Sequence, residues 1–319
     1  MLKVSFIGFR RHASLLRNIF EKKNNIKIHK IFTKTKINTS KYFFCDNIKS
    51  LLDSDIIVIS SPTDFHFKQI KELQDFNGYI FCEKPIVGTL EEIKKLKSLK
   101  KLSRNKFYTN FNFRFNKISQ VINYINSNKK FGKILKLNIN ISHSSALKKK
   151  WVNEWRLKTK SKLGPLETTG IHYVDFINEI FNKYKILNLF LFSQTKRGNK
   201  EVDTSELYLQ SQKTILNLRF SYCEATRNTM EVIFDNGYAE YDGQKFNLYC
   251  PKNNFDVKGY SIPPKLYKSY KINFEQEWKK SIENSINYFL YNVKNKKTFT
   301  NFYKDLDVMK EILSYKKLV

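Results

Sequence analysis

Gly78-Tyr79-Ile80-Phe81-Cys82-Glu83-Lys84-Pro85-Ile86 is the stretch on which the reading of this chain turns. Its first half, Gly78 to Cys82, is an apolar run of strand length, the type buried in parallel sheets. A carboxylate, an ammonium and a proline then stand together at the strand's end. After Gly88, Thr89-Leu90-Glu91-Glu92 reads as a helix N-terminus in which Thr89 and Glu92 form a capping box. In an open α/β sheet the carboxyl ends of the strands form the ligand crevice. Lys84, fixed there by Pro85, is therefore a candidate for chemistry, set against the plainer reading of a solvated lysine at a turn.

The same alternation extends in both directions. Upstream, Lys3 to Gly8 and Ile26 to Phe32 read as strands. Between them, His12 to Lys23 carries a helical stripe of Leu15, Leu16, Ile19 and Phe20. Ile48 to Leu52 reads as a short helix, and Asp55 to Ser60 as another continuous apolar strand. Ser61-Pro62-Thr63 breaks that strand before a helix from Phe65 to Leu73. Downstream come a helix from Leu90 to Leu102, a strand from Lys106 to Asn112 and a helix from Phe115 to Ile125. This β-α-β-α alternation with short connections predicts a doubly wound parallel sheet, a Rossmann-type α/β domain over residues 1–128.

The pattern changes near Asn128-Lys129-Lys130-Phe131-Gly132-Lys133, and strands dominate the remainder of the chain. Ile134 to Ser142 alternates, with Leu135, Leu137, Ile139 and Ile141 expected on one face. Further strands are expected over Ile186–Phe192, Glu206–Gln210, Thr214–Ser221, Thr229–Phe234, Tyr238–Tyr241 and Lys245–Tyr249, with Asp235-Asn236-Gly237 as a hairpin signal. One helix, Pro165 to Phe181, interrupts them, and helices at Phe274–Val293 and Phe302–Ser314 close the chain. Residues 129–319 thus predict an α+β domain on a large mixed or antiparallel sheet, for substrate binding and oligomerisation, with the last helices packing back on the first domain.

Composition narrows the function. With 319 residues, 41% hydrophobic and 27% charged, the chain has the make-up of a two-domain globular protein. It lacks an apolar run of membrane-spanning length, and Met1-Leu2-Lys3-Val4-Ser5-Phe6-Ile7-Gly8 enters a strand at once instead of showing a signal-peptide layout, so a cytoplasmic location is expected. Cys45, Cys82, Cys223 and Cys250 are scattered without a CxxC pair, which predicts reduced, mostly buried thiols and neither zinc nor disulfides. His12, His29 and His143 lack metal-ligand spacing, and no P-loop or nucleophile elbow is present. The formal charge of +29 comes from lysines spread along the whole chain, without a basic arm, so nucleic acid is not an expected partner while anionic small ligands are favoured.

A dinucleotide fold needs close backbone approach in its first βα turn. Here that turn reads Gly8-Phe9-Arg10-Arg11-His12-Ala13, with Gly8 in the first glycine position, Ala13 in the third and Arg10 in the second. Arg10 either crowds a pyrophosphate or swings out and pairs with it. The second strand ends Ile31-Phe32-Thr33-Lys34-Thr35-Lys36, with a hydroxyl and cations where an acid would bind a ribose 2′-hydroxyl. Thr33 and Lys34 suit a 2′-phosphate, so NADP(H) is expected over NAD(H).

With these residues assembled, the chain resembles the Gfo/Idh/MocA oxidoreductases. Asp55 to Thr63 with His66 looks like that family's strand and Pro-Thr/Asn-x-x-His turn, and Cys82-Glu83-Lys84-Pro85 like its signature. Asn112-Phe113-Arg114-Phe115 matches its Asn-x-Arg-Phe segment, and Leu163-Gly164-Pro165 through His172-Tyr173-Val174-Asp175 its Gly-rich entry and His-x-x-Asp helix. Ser285 to Leu290 and Phe302 to Leu313 also fit, so the resemblance spans the chain. It implies NAD(P)-dependent hydride transfer at a sugar CH–OH, with Lys84 and His172 catalytic. It places Ser61, Pro62, Thr63, His66, Glu83, Lys84 and Asn112 near the cofactor. Two positions depart from the family pattern: Thr168 stands where the family carries Asp four residues before its histidine, with Glu167 adjacent, and Arg10 replaces a glycine.

The chemistry is consistent with these roles. Hydride transfer from a carbinol needs a group to take the O–H proton, and histidine does this near neutrality. Thr168 and Asp175 fall four before and three after His172, on its face of the predicted helix, so Asp175 can fix the imidazole tautomer and Thr168 can bind substrate. The Lys84 ammonium suits a developing alkoxide. Arg114 reads equally as a substrate contact or an ion-pair residue, and Trp155 and Arg156 lie on a loop able to close over a sugar. The expected function is a dehydrogenase or reductase of a sugar or sugar nucleotide, acting as a homodimer or homotetramer away from membranes. The competing reading is a non-catalytic dinucleotide- or sugar-sensing regulator on the same fold.

Overall fold

Six parallel strands form the first sheet: β1 (Leu2–Ile7), β2 (Ile26–Phe32), β3 (Phe44–Cys45), β4 (Ile56–Ile59), β5 (Tyr79–Glu83) and β6 (Phe107–Asn110). Their order is β3-β2-β1-β4-β5-β6, a doubly wound Rossmann arrangement that reverses direction between β1 and β4. All four residues of β4 are buried, as its continuous apolar run requires of a strand covered on both faces. Helices α1 (Arg11–Glu21), α2 (Thr63–Glu72) and α3 (Leu90–Ser98) connect the strands. The Thr89 hydroxyl accepts from the Glu92 N–H at 3.1 Å, as the capping box predicts, but the Glu92 carboxylate reaches one residue further back, to the N–H of Gly88 at 3.2 Å. β3 escaped the sequence reading because two residues are too short to show a period.

This computed structural model describes residues 1–35, 37, 39–148, 159–195, 201–250 and 255–318. The chain divides into two units, Met1–Asn112 with Thr159–Ser161 and Ile282–Val319, and Phe113–Lys158 with Lys162–Ser281. The first contains the parallel sheet. The second is built on an eight-stranded mixed sheet, β7 (Ile134–Ser142), β8 (Lys185–Phe192), β9 (Thr204–Ser211), β10 (Thr214–Ser221), β11 (Arg227–Phe234), β12 (Gly237–Tyr241), β13 (Lys245–Cys250) and β14 (Lys265–Lys271). Its order is β14-β13-β12-β11-β7-β10-β9-β8, with β7 and β10 parallel and the remaining pairs antiparallel. Asp235 and Asn236 form the expected two-residue hairpin loop between β11 and β12, closed by the Phe234–Gly237 pair.

The β7 alternation holds with one exception. Leu137, Ile139 and Ile141 are buried, but Leu135 is 49% exposed. The pairing with β11 slips there: Ile233 faces Lys136 and Phe234 faces Ile134, leaving Leu135 as the extra residue of a bulge. A bulge shifts the pleat by one, so Ile134 takes the inward place. The remaining helices are α4 (Lys117–Ser127), α5 (Ile171–Ile180), α6 (Phe274–Lys294) and α7 (Phe302–Leu318). A 3₁₀ turn, Asn112–Phe115, occupies the strand end and helix start expected there, and α4 begins after Asn116, whose side chain caps it by accepting from the Ile118 N–H. The expected Pro165–Phe181 helix opens with a π-helical turn, Leu166–Gly170, before α5. The four cysteines are free; Cys82 is buried, but the other three are only partly so, against the expectation of mostly buried thiols. Among the described residues no helix is long and apolar enough to cross a membrane.

Candidate active site

Gly8 ends β1 in a conformation closed to other residues, with φ +109°, and a Cβ there would lie 3.0 Å from the Ser60 carbonyl oxygen and 3.2 Å from the Ser61 nitrogen. The glycine therefore brings the β1 turn against the end of β4, at the point where the strand order reverses and an α/β sheet opens its crevice. The next helix, α1, begins without a side-chain cap, which leaves its first-turn N–H groups available to an anion. Arg10, its N-cap residue, is exposed and extended, with φ −71° and ψ −179°. That backbone needs no glycine, so the arginine is accommodated at the second position with its side chain at the surface. Arg11 is likewise exposed. These features fit a dinucleotide phosphate cradle.

Phe9 points elsewhere. Its ring packs against Tyr42 and Phe44 and is covered by the Arg17 guanidinium, 4.3 Å from the ring centroid, which also lies 4.6 Å from the centre of Tyr42. Arg17 is only 5% exposed, and this cation–π sandwich ties the chain after β2 to the first turn. Thr33 accepts the Thr35 N–H at 3.2 Å, and the exposed Lys34 has its ammonium 5.8 Å from the centre of the Phe65 ring at the start of α2.

The signature at the end of β5 is bonded to the first turn. Glu83 Oε1 accepts from His12 Nε2 at 2.9 Å and from Asn110 Nδ2 at 2.7 Å. Asn110 Oδ1 accepts the Ser285 hydroxyl at 2.7 Å, and that hydroxyl lies 2.7 Å from the Tyr108 hydroxyl. Because the single Ser285 proton is given to Asn110, Tyr108 must donate to Ser285. The chain is thus directional, Tyr108 to Ser285 to Asn110 to Glu83, with every donor aimed toward the carboxylate. Burial alone would raise the Glu83 pKa; the His12 contact, the Asn110 bond and the Lys84 charge outweigh it and hold the carboxyl below its ordinary value. Glu83 is therefore a buried carboxylate with its Oε1 committed to protein donors. Lys84 follows it, partly exposed, joined to Pro85 by a cis peptide bond.

His66 is buried beneath this turn, with Nδ1 3.0 Å from the Pro85 carbonyl and Nε2 2.8 Å from the Ser61 carbonyl. The other residues of its motif are also occupied: Ser61 donates its hydroxyl to Gln69 at 2.6 Å, Pro62 is the N-cap of α2, and Thr63 is buried. Asn112, at the start of the 3₁₀ turn after β6, is buried as well.

In the second unit, Arg114 grips the fully buried Asp175 with two bonds, Nε to Oδ2 at 2.8 Å and Nη2 to Oδ1 at 2.5 Å, and also faces Glu179 at 3.3 Å. Thr168 lies in the π-helical turn, and its hydroxyl is hydrogen-bonded to that of Tyr222. The Tyr222 ring in turn packs on His143 at 4.6 Å. His172 is the second residue of α5, partly exposed and flanked by the buried Ile171 and Tyr173. Gly170 precedes it where a Cβ would come within 2.7 Å of Phe220. Trp155 and Arg156 lie outside the described residues.

The sequence reading missed Arg17, Tyr108, Asn110, Ser285 and Tyr222. Only Ser285 left a trace: a small polar residue among Ile282, Ile286 and Phe289 on the buried face of α6. Arg17, Tyr108 and Asn110 sat inside an expected helix or strand, and Tyr222 just past the end of one, with nothing to mark them.

Comparison with known proteins agrees with this architecture. Residues 2–111 match the family described as oxidoreductase family, NAD-binding Rossmann fold. Glucose-6-phosphate 3-dehydrogenase of Bacillus subtilis is 23% identical over 290 residues, covering 83% of this chain and 81% of that protein. Among solved structures, a levoglucosan dehydrogenase in complex with NADH and levoglucosan superposes with TM-score 0.79 at 13% identity, covering 97% of this chain and 95% of its own. Myo-inositol 2-dehydrogenase of Lactobacillus plantarum does so with TM-score 0.75 at 18% identity, covering 97% and 94%. Residues 2–111 thus carry the NAD-binding Rossmann fold of the Gfo/Idh/MocA oxidoreductase family, to which this part of the chain is similar.

Proposed function

We propose that the protein is an NAD(P)-dependent dehydrogenase or reductase acting on the CH–OH group of a sugar that carries a phosphate or a nucleotide. The observation that carries this reading is the His12–Glu83 bond, which joins the dinucleotide turn to the Lys84 signature at the crevice of the parallel sheet. The formal charge of +29 and the B. subtilis relative, named for a sugar phosphate, support an anionic substrate. Nicotinamide, when bound, supplies the hydride acceptor or donor. Gly8 and the uncapped start of α1 hold the phosphates, Thr33 and Lys34 favour the 2′-phosphate of NADP(H), and Ser61 to Thr63 line the same crevice.

In this reading the Lys84 ammonium stabilises the substrate oxygen as it gains negative charge, and His172 exchanges the proton. Thr168, Arg114, Trp155 and Arg156 bind substrate, with Arg114 held in shape by Asp175. The protein works in the cytoplasm as a homo-oligomer, without nucleic acid or membrane. The competing sensor reading is favoured by one observation, that the hydroxyl of Thr168 is bonded to Tyr222. Purified protein screened with NADPH, NADP and sugar phosphates or sugar nucleotides tests the proposal. Turnover is expected, falling by roughly 10²- to 10³-fold in Lys84→Ala. Undiminished turnover in that variant removes the role of Lys84, and saturable cofactor binding without turnover on any sugar favours the sensor.

A further inference from the structure

His66 is 1% exposed, and both of its ring nitrogens face backbone carbonyls, Nδ1 that of Pro85 at 3.0 Å and Nε2 that of Ser61 at 2.8 Å. A carbonyl oxygen only accepts, and a neutral imidazole carries a single N–H. Both bonds exist together only when the ring is the doubly protonated imidazolium. We propose that His66 is a positioning residue for Lys84: doubly protonated, it clamps the Pro85 carbonyl to the Ser61 carbonyl, and loss of one proton frees the Pro85 end. This rests on the role given to Lys84 above.

The geometry also says which end opens. The Ser61 contact is the shorter, so it keeps the remaining N–H. On the other side the Cys82 sulfur lies 3.9 Å from Nδ1, and burial holds that thiol protonated. Its one proton goes instead to the Glu83 carbonyl at 3.3 Å, so a bare Nδ1 does not receive it, and the Pro85 carbonyl then meets a lone pair. Pro85 follows Lys84 directly, so the freed carbonyl belongs to the turn that aims the ammonium.

Several titratable groups surround the ring. From β5 come Cys82 and Glu83; burial, the larger effect, holds the His66 pKa below its ordinary value, while the Ser61 and Pro85 carbonyls and the Glu83 charge favour the imidazolium, so the doubly protonated ring belongs to the acid end of the histidine range. The turn after β5 brings Lys84 itself. From α1, His12 is bonded to Glu83. On the ring's own helix Lys68 is exposed, and Asp64 accepts the Lys160 backbone N–H at 3.0 Å. From α3, Glu92 is paired with the Lys160 ammonium at 2.6 Å. Glu83 is thus the charge left to act on His66.

The test is ¹⁵N NMR of the full-length chain labelled at histidine, titrated across about pH 5–8, the range in which histidine changes charge. The His66 signals are identified by their loss in His66→Gln. Expected are two protonated ring nitrogens at low pH and loss of the Nδ1 proton alone as the pH rises. In turnover, kcat should fall by about 10- to 100-fold with that proton while KM for the cofactor stays level, and His66→Gln should abolish this limb. A ring that holds one proton throughout, or that loses the proton facing Ser61, overturns the clamp, as does a level kcat across the transition. Should His66→Gln fail to fold, single His→Gln variants of the other four histidines identify the His66 signals by elimination, and the wild-type titration decides. An inactive wild type refutes the dehydrogenase reading instead, and the spectra still judge the clamp.

Discussion

Replacing Gly8 by alanine should damage the crevice where the β1 turn meets the end of β4. Two effects add at this position. A side chain at φ +109° costs about 1–3 kcal/mol in backbone strain. The new Cβ would also press on Ser60 oxygen at 3.0 Å, Ser60 carbon at 3.1 Å and Ser61 nitrogen at 3.2 Å. These are backbone atoms at the end of a buried strand and cannot rotate away, so overpacking adds about 1–3 kcal/mol. The sum is about 2–6 kcal/mol, which lowers the melting temperature of a domain of this size by at least roughly 4 °C. Gly88→Ala is the control within the same unit, because its Cβ would meet only Asp64 and Thr63 side-chain atoms at 3.7 Å. It should be neutral or slightly stabilising. Gly243→Ala isolates the strain, since its φ is +102° but its nearest neighbour, the Asn228 carbonyl oxygen, lies at an ordinary 3.5 Å. Differential scanning calorimetry of the three variants, with calorimetric titration of NADPH, measures both consequences. If Gly8→Ala melts with Gly88→Ala and binds dinucleotide as the wild type does, close backbone approach at the switch point is not what Gly8 provides.

The directional chain from Tyr108 to Glu83 should behave as a unit. Tyr108→Phe and Ser285→Ala are each expected to cost about 1–3 kcal/mol, and the double variant clearly less than their sum, in urea denaturation; additive losses would show that the hydroxyls act independently. Glu83→Gln should cost about 1.5–3 kcal/mol at neutral pH through the weakened His12 and Asn110 bonds. Because the folded Glu83 pKa lies below its unfolded value, the wild type's advantage is complete above the ordinary glutamate range and disappears as the pH falls through the folded value. Melting curves of the two proteins should therefore converge in acid, and a gap that widens there would mean that burial, not the His12 and Asn110 bonds, governs this carboxyl.

The sequence alone determined the elements whose signals are local. Continuous apolar runs at 56–59 and 79–82 announced buried parallel strands, Thr89 and Glu92 announced a helix start, and Asp235-Asn236 a hairpin. Each depends on a few neighbouring residues, so a single chain suffices to read it. Tertiary structure decided what depends on residues far apart in the chain. The bulge at Leu135 is set by pairing with β11 about a hundred residues on, and Glu83 is held by His12, Asn110 and, through it, Ser285. His66 was legible as part of a motif, but only the folded chain shows its ring spanning the carbonyls of Ser61 and Pro85. Backbone propensity and apolar period act within one element, whereas hydrogen-bond partners and sheet register are fixed by which elements the fold brings side by side.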